Sequence, residues 1–125
     1  MKEAVSAEVY KRLEHIKEGC EKIIGYAAGG REQFDSDEQV QIAIMHYISV
    51  IGEASKLHNI PKDFQVRHPE ISWREWVEQR NILVHNYDSI NLNLVWRTAT
   101  RDTPDLLSNI SAILSSVEKM QVDKE

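Results

Sequence analysis

Arg80, Asn81, His85, Asn86 and Tyr87 crowd polar and proton-handling groups into the end of an otherwise apolar run, REWVEQRNILVHNYDSINLNLVW. Cleaving a ribose-phosphate link without a metal ion needs a base for the 2′-hydroxyl proton, an acid for the leaving oxygen, and a cation for the charge that builds on phosphorus. Imidazole is the side chain that exchanges protons near neutral pH, which makes His85 a base or an acid. Arg80 offers a planar fork of donors that matches phosphate oxygens. Asn81 and Asn86 are placed to orient the imidazole or the phosphate, and Tyr87 to donate a hydrogen bond or stack on a base. Spacing alone leaves a purely structural reading open: Arg80 pairs with a carboxylate such as Glu53, His85 caps a helix end, and Tyr87 packs in the core.

Geometry sets a condition on the chemical reading. At about 100° per residue, Arg80 and Tyr87 share a helix face two turns apart, while His85 points about 140° away from Arg80. A common site therefore needs either a break after Val84 or a contribution from a second subunit. Elsewhere the familiar signatures are missing: no glycine-rich phosphate loop, no paired cysteines and no His-Glu-x-x-His. His15, His46, His58 and His68 are scattered without partners at an adjacent helical turn, so neither a metal site nor a cofactor is expected. The lone Cys20 lies one turn from Ile16 and Ile24 and reads as a buried small hydrophobe.

The elements that must position these groups are helical. Val9, Leu13, Ile16, Cys20, Ile23 and Ile24 form one apolar stripe, which Gly25 and then Gly29-Gly30 are expected to end; the stretch to Asp35 reads as a loop. Ser36 and Gln39 have the form of a capping box, predicting a second helix from about Asp37 through VQIAIMHYISVIGEASKLH, stopped by Pro61. Val40, Ile44, Tyr47, Ile48 and Ile51 carry its main stripe, and Ile42, Met45 and Val50 widen it, so this helix must be covered on more than one side, by its own bundle or by a symmetric second chain. PKDFQVRHPEIS is turn-rich, and Pro69 opposes a long helix there. Ser72 and Glu75 form a second capping box before a helix ending near His85, with Trp73, Trp76, Val77, Leu83 and Val84 as its apolar contacts. HNYDSIN reads as a loop. Leu92, Val95, Trp96 and Ala99 open a fourth helix, continued to the chain end by Leu106, Ile110, Ile113, Leu114, Val117 and Met120; Pro104 either kinks it or starts a fifth helix capped by Thr103. The expected architecture is one all-α domain over residues 1–125, an antiparallel bundle of four to five helices.

Composition bounds the rest. A chain of 125 residues with few Gly and Pro buries a core without staples. No apolar stretch approaches the ~18 residues of a membrane span, and the mixed-charge start lacks the apolar region of a secretory signal, so a cytoplasmic location is expected. The net charge of −5 opposes broad binding to duplexes, and DNA is not an expected partner, but a local basic cleft on an acidic protein is compatible with it.

The segment RNILVHNY has the form Arg-x4-His-x-Tyr, and it resembles the motif of HEPN domains, most closely that of HepT-like toxins of the HepT–MntA toxin–antitoxin type. MHYISVIGEASKL, PEISWREWVEQRNILVHNY, and INLNLVW leading to DTPDLL resemble successive segments of that family, from about Lys11 to Ile113. The resemblance implies a helical homodimer whose two motifs face a shared cleft, and an endoribonuclease that needs no metal. Arg80 and His85 become the catalytic pair, with Asn81 in support. Glu53 matches an acidic position of the second helix that orients Arg80. Tyr87 matches the motif tyrosine that accepts AMP from a partner nucleotidyltransferase antitoxin of the MntA kind; a bulky anion there would fill the cleft and repel an RNA phosphate. Two other readings compete: a non-catalytic helical module that binds a nucleotidyltransferase or a nucleotide through the same cleft, and a structural dimer with an incidental polar helix end.

Overall fold

A computed structural model describes residues 2–121, with the side chain of Tyr87 outside the described set. The chain runs β1 (Glu3–Val5), α1 (Ala7–Ala27), α2 (Gly30–Ser36), α3 (Glu38–Ala54), α4 (Lys62–Arg67), α5 (Trp73–His85), a 3-10 turn (Tyr87–Ser89), α6 (Leu92–Arg97), a π-helical segment (Thr98–Asp102), α7 (Thr103–Ser116) and β2 (Val117–Lys119). The expected all-α bundle is what forms. Its long members are α1, α3, α5 and the continuous α6-π-α7 rod; α1 packs between α3 and α7, and α3 between α1 and α5.

The core follows from the apolar stripes. Val9, Leu13, Ile16, Cys20 and Ile23 of α1 meet Ile44, Ile48 and Ile51 of α3 and Leu106, Ile110 and Ile113 of α7, all buried. Ser6 caps α1 by accepting from the Val9 N–H at 3.1 Å. Gly25 does not end that helix, because its neighbours continue the helical hydrogen bonding to Ala27. The break falls at Gly29-Gly30, where Gly30 takes a φ of +90° that a side chain would resist.

Several boundaries differ from expectation, each for a local reason. The supposed loop to Asp35 is α2, held by burial of Phe34 against Trp96 with ring centroids 5.0 Å apart, and by an Arg31–Asp35 ion pair one turn apart at 2.8 Å. Asp37, rather than Ser36, caps α3, accepting from the N–H groups of Gln39 and Val40. Helix α3 ends at Ala54, short of Pro61: the Ser55 N–H and hydroxyl both close on the Ile51 carbonyl, and Asn59 Nδ2 donates to the Glu53 carbonyl of the last turn. The turn-rich piece winds once as α4, anchored by buried Phe64 and ending before Pro69. Ser72 precedes α5 but its side chain makes no capping bond.

The last helix also departs from a simple reading. Pro104 has no N–H, and its ring would crowd the carbonyl four residues back. The rod accommodates this by widening into the π segment, in which the Thr98 carbonyl accepts both the Thr103 N–H and, at 2.8 Å, the Thr103 hydroxyl. Val117 and Met120 lie beyond the helix: Val117 is buried in β2, which pairs in parallel with β1 (Glu3 opposite Val117, Val5 opposite Lys119). Glu3 then reaches Arg67 and His68, tying this two-stranded sheet to α4. Among the described residues no helix is long and apolar enough to cross a membrane.

Candidate active site

The site begins with a glycine. Gly52 sits where α3 crosses α5 so closely that a Cβ built on it would lie 2.5 Å from the Trp76 carbonyl oxygen and nearer still to Arg80 Cβ. Only the absence of a side chain permits this approach. It covers the stem of Arg80, whose side chain is 20% exposed, and brings its head beside the residue after the glycine: Arg80 Nη2 is 3.4 Å from Glu53 Oε1. Arg80 Nη1 donates to Asn81 Oδ1 at 3.0 Å. The guanidinium is thus fixed on two sides by Glu53 and Asn81. An ion pair of this exposure contributes only about 0–1 kcal/mol, so a phosphate oxygen can compete with the carboxylate for it.

Glu53 holds more than Arg80. Lys56 Nζ lies 3.2 Å from Glu53 Oε1, and His58 Nε2 3.9 Å from Glu53 Oε2. Glu53 reads from the sequence as a partner of Arg80, whereas nothing there ties Lys56 to Arg80; that link is tertiary, through the last turn of α3 and the turn that follows. His58, read as a scattered histidine, stands at the edge of this cluster.

His85 is the last residue of α5 and is exposed. The helix continues unbroken through it and is closed by the Asn86 N–H donating to the Ile82 carbonyl at 2.9 Å; the backbone departs from helical geometry at Asn86, with φ −126° and ψ 44°. The break allowed for after Val84 is therefore absent. Along an intact helix His85 stands about 7.5 Å further along the axis than Arg80 and about 140° around it. The structure brings Glu53, Arg80 and Asn81 together and leaves His85 on a different face. Tyr87 opens the following 3-10 turn, and the expectation for its side chain lies outside the described residues.

The surface around α5 is unusually apolar. Ile82 and Val84 are about half exposed, as are Leu94 of α6 and Ile42 of α3, while only Trp73 and Trp76 of α5 are buried. The breadth of the apolar surface on α3 called for cover on more than one side, and Ile42 is left uncovered; Val84, expected among the apolar contacts of α5, is likewise exposed because it lies on the side of the helix turned away from the bundle. Thr98, in the π segment, donates to Gln79 Oε1 at 2.9 Å and fixes the flank of α5.

An all-helical bundle that presents Arg-x4-His-x-Tyr where a helix ends has the architecture of a HEPN domain. The family model described as "Ribonuclease HepT-like" matches residues 16–113. A protein of Thermococcus cleftensis named probable ribonuclease HepT is 43% identical over 75 residues, 60% of this chain and 66% of that protein. A candidate RNase of Caldanaerobacter subterraneus is 34% identical over 103 residues, 82% of this chain and 90% of its own length. A candidate RNase of Methanocaldococcus jannaschii is 30% identical over 118 residues, 94% of this chain and 93% of its own. No solved structure matches significantly. The chain belongs to the HepT-like ribonuclease family of the HEPN superfamily.

Proposed function

We propose that this chain is a metal-independent endoribonuclease that acts as the toxin of a toxin–antitoxin pair, working as a homodimer with Arg80 of one subunit and His85 of the other around one RNA phosphate. The observation that carries this reading is the unbroken course of α5 through His85. With the two side chains on different faces of one rigid helix, a second copy is the remaining way to bring them to a common phosphate. The apolar residues around the end of α5 supply a surface for that copy.

In this mechanism Arg80, steadied by Glu53 and Asn81, grips the phosphate and offsets the charge of the transition state. His85 takes the proton of the 2′-hydroxyl as that oxygen attacks phosphorus. The bond between phosphorus and the 5′-oxygen breaks, the imidazolium returns its proton to the departing oxygen, and a 2′,3′-cyclic phosphate remains. Tyr87, two residues beyond His85, is the acceptor of AMP from a partner nucleotidyltransferase, with pyrophosphate leaving; the adenylyl group switches the site off by its bulk and charge.

Mixing two inactive subunits tests the arrangement. Arg80→Ala and His85→Ala homodimers should not cleave RNA in EDTA, whereas their heterodimer retains one complete site of two, so an equal mixture recovers about a quarter of wild-type activity. Wild-type protein that leaves diverse RNAs intact would end the nuclease reading. An inert mixture of stable heterodimers would end the shared-site arrangement.

A further inference from the structure

The two flanks of α5 near its start carry opposite charge. On one side a cleft of about 330 Å³ is lined by Glu70, Glu75, Asp102 and Asp105, with no Lys or Arg among its described lining residues. On the other a groove of about 1070 Å³ carries Lys56, His58, Lys62 and Arg74 on its walls, opposed by Glu75, above an apolar floor that includes Leu57 and Val66. Leu57 is 58% and Val66 66% exposed, and the Arg74 side chain, whose Nε lies 3.3 Å from Glu78 Oε1 one turn on, is 92% exposed, so that pair is weak enough for a phosphate to displace. Lys56 and His58 belong at once to this groove and to the Glu53 cluster that contains Arg80. The net charge of −5 is therefore unevenly distributed: basic residues, interleaved with Glu53, Glu75 and Glu78, run from Arg80 into an open groove, whereas the cleft on the opposite side carries carboxylates without a Lys or Arg among its described lining residues.

We propose that this groove is a binding track for the single-stranded RNA flanking the scissile phosphate, with Lys56, Lys62 and Arg74 meeting successive phosphates and Leu57 and Val66 supporting the bases. The proposal rests on the ribonuclease reading above and adds to it the path of the substrate. Lys56, 3.2 Å from the same Glu53 oxygen that steadies Arg80, stands beside the scissile phosphate on the groove side, where the next phosphate of the strand would arrive. The acidic cleft bars the strand from the other flank, so binding has one direction away from the site. Open, half-exposed apolar residues suit unstacked bases, and duplex RNA with its bases paired inside would gain nothing from them.

The test is binding of a non-cleavable, fully 2′-O-methylated single strand of about 12 nucleotides, with salt titration, by wild type and by the double variant Lys62→Gln/Arg74→Gln. Removing one cation that meets a phosphate should reduce the salt slope by about 0.7 and, at about 0.1 M monovalent salt, the affinity by about fivefold, so the double variant binds about 25-fold more weakly. Both residues are exposed, and matching thermal melts of the two proteins establish that the variant folds. Asp105→Asn, on the acidic flank, should change affinity by less than about twofold. Equal affinity and equal salt slope in wild type and double variant, while wild type cleaves RNA, would overturn the track alone and leave the groove to a protein partner. Wild type that neither binds nor cleaves single-stranded RNA would overturn the ribonuclease reading and the track with it.

Discussion

Substituting Gly52 by alanine probes the point on which the Arg80 arrangement depends. The new Cβ would lie 2.5 Å from the Trp76 carbonyl oxygen and nearer still to Arg80 Cβ. Neither atom is the free end of a flexible side chain, so the helices must part by about 1 Å to restore ordinary contact. Overpacking of this kind costs about 2–3 kcal/mol, of which the better helix propensity of alanine offsets about 1 kcal/mol. The net destabilisation of about 1–2 kcal/mol corresponds to a fall of about 3–10 °C in Tm for a domain of this size. Gly25→Ala is the matched control: it is also inside a helix, but its added Cβ meets nothing within 4 Å, so stability should rise by about 0.5–1 kcal/mol. Calorimetric melts of both variants measure the contrast. Because separation of the helices moves Arg80 away from Glu53, RNA cleavage by Gly52→Ala should fall about tenfold to a hundredfold at temperatures where the protein is folded. A Gly52→Ala protein that melts at or above wild type and cleaves normally would refute the close crossing as the device that places Arg80.

Two further outcomes concern single groups. Burial pushes the Glu3 carboxyl upward, but hydrogen bonds from Arg67 and His68 outweigh it and hold its pKa below the usual 4.5. Its contribution to stability is therefore present above about pH 4.5 and lost as the pH falls through the lower folded-state value; Glu3→Gln should narrow the stability difference between about pH 7 and about pH 3 in urea melts, and an unchanged difference would contradict the pairing. Cys20 is fully buried in α1, and that burial pushes its thiol up to about 12, so thiol reagents at neutral pH should modify it only after denaturant is added; rapid labelling of native protein would show the core to be open there.

The apolar periods made the long helices readable, because one face of each of α1, α3 and α7 is buried and their sequences repeat accordingly. Local competition accounts for one miss and contacts distant in the chain for the others. Asp37 outcompetes Ser36 for the α3 cap, a choice between adjacent capping residues that spacing does not resolve. Phe34 converts an apparent loop into α2 through contact with Trp96, which is 62 residues distant in the chain. Val117 has the right spacing for a helix but leaves it to pair with Glu3, a contact between opposite ends of the sequence. In the site, Arg80 with Asn81 was legible as a polar pair in an apolar run, whereas Lys56 and His58 join it only through the folded turn after α3. Helical periodicity was the most informative signal for the site, since an intact α5 turns the angle between Arg80 and His85 from an open choice into a requirement for a second subunit under the nuclease reading.

The widened turn at Thr98–Asp102 bears on how this family can tolerate a change in chain length. A π-helical turn holds one more residue than the α-helical turn it replaces, so deleting one residue there restores ordinary winding and leaves the segments on either side in phase. Trp96 would stay against Phe34, and Val95 would keep its buried place in the bundle. A one-residue gap, which elsewhere in a helix swings one end by about 100° about the axis, is here taken up by the turn itself, so the segment linking the motif helix to the rest of the domain tolerates it.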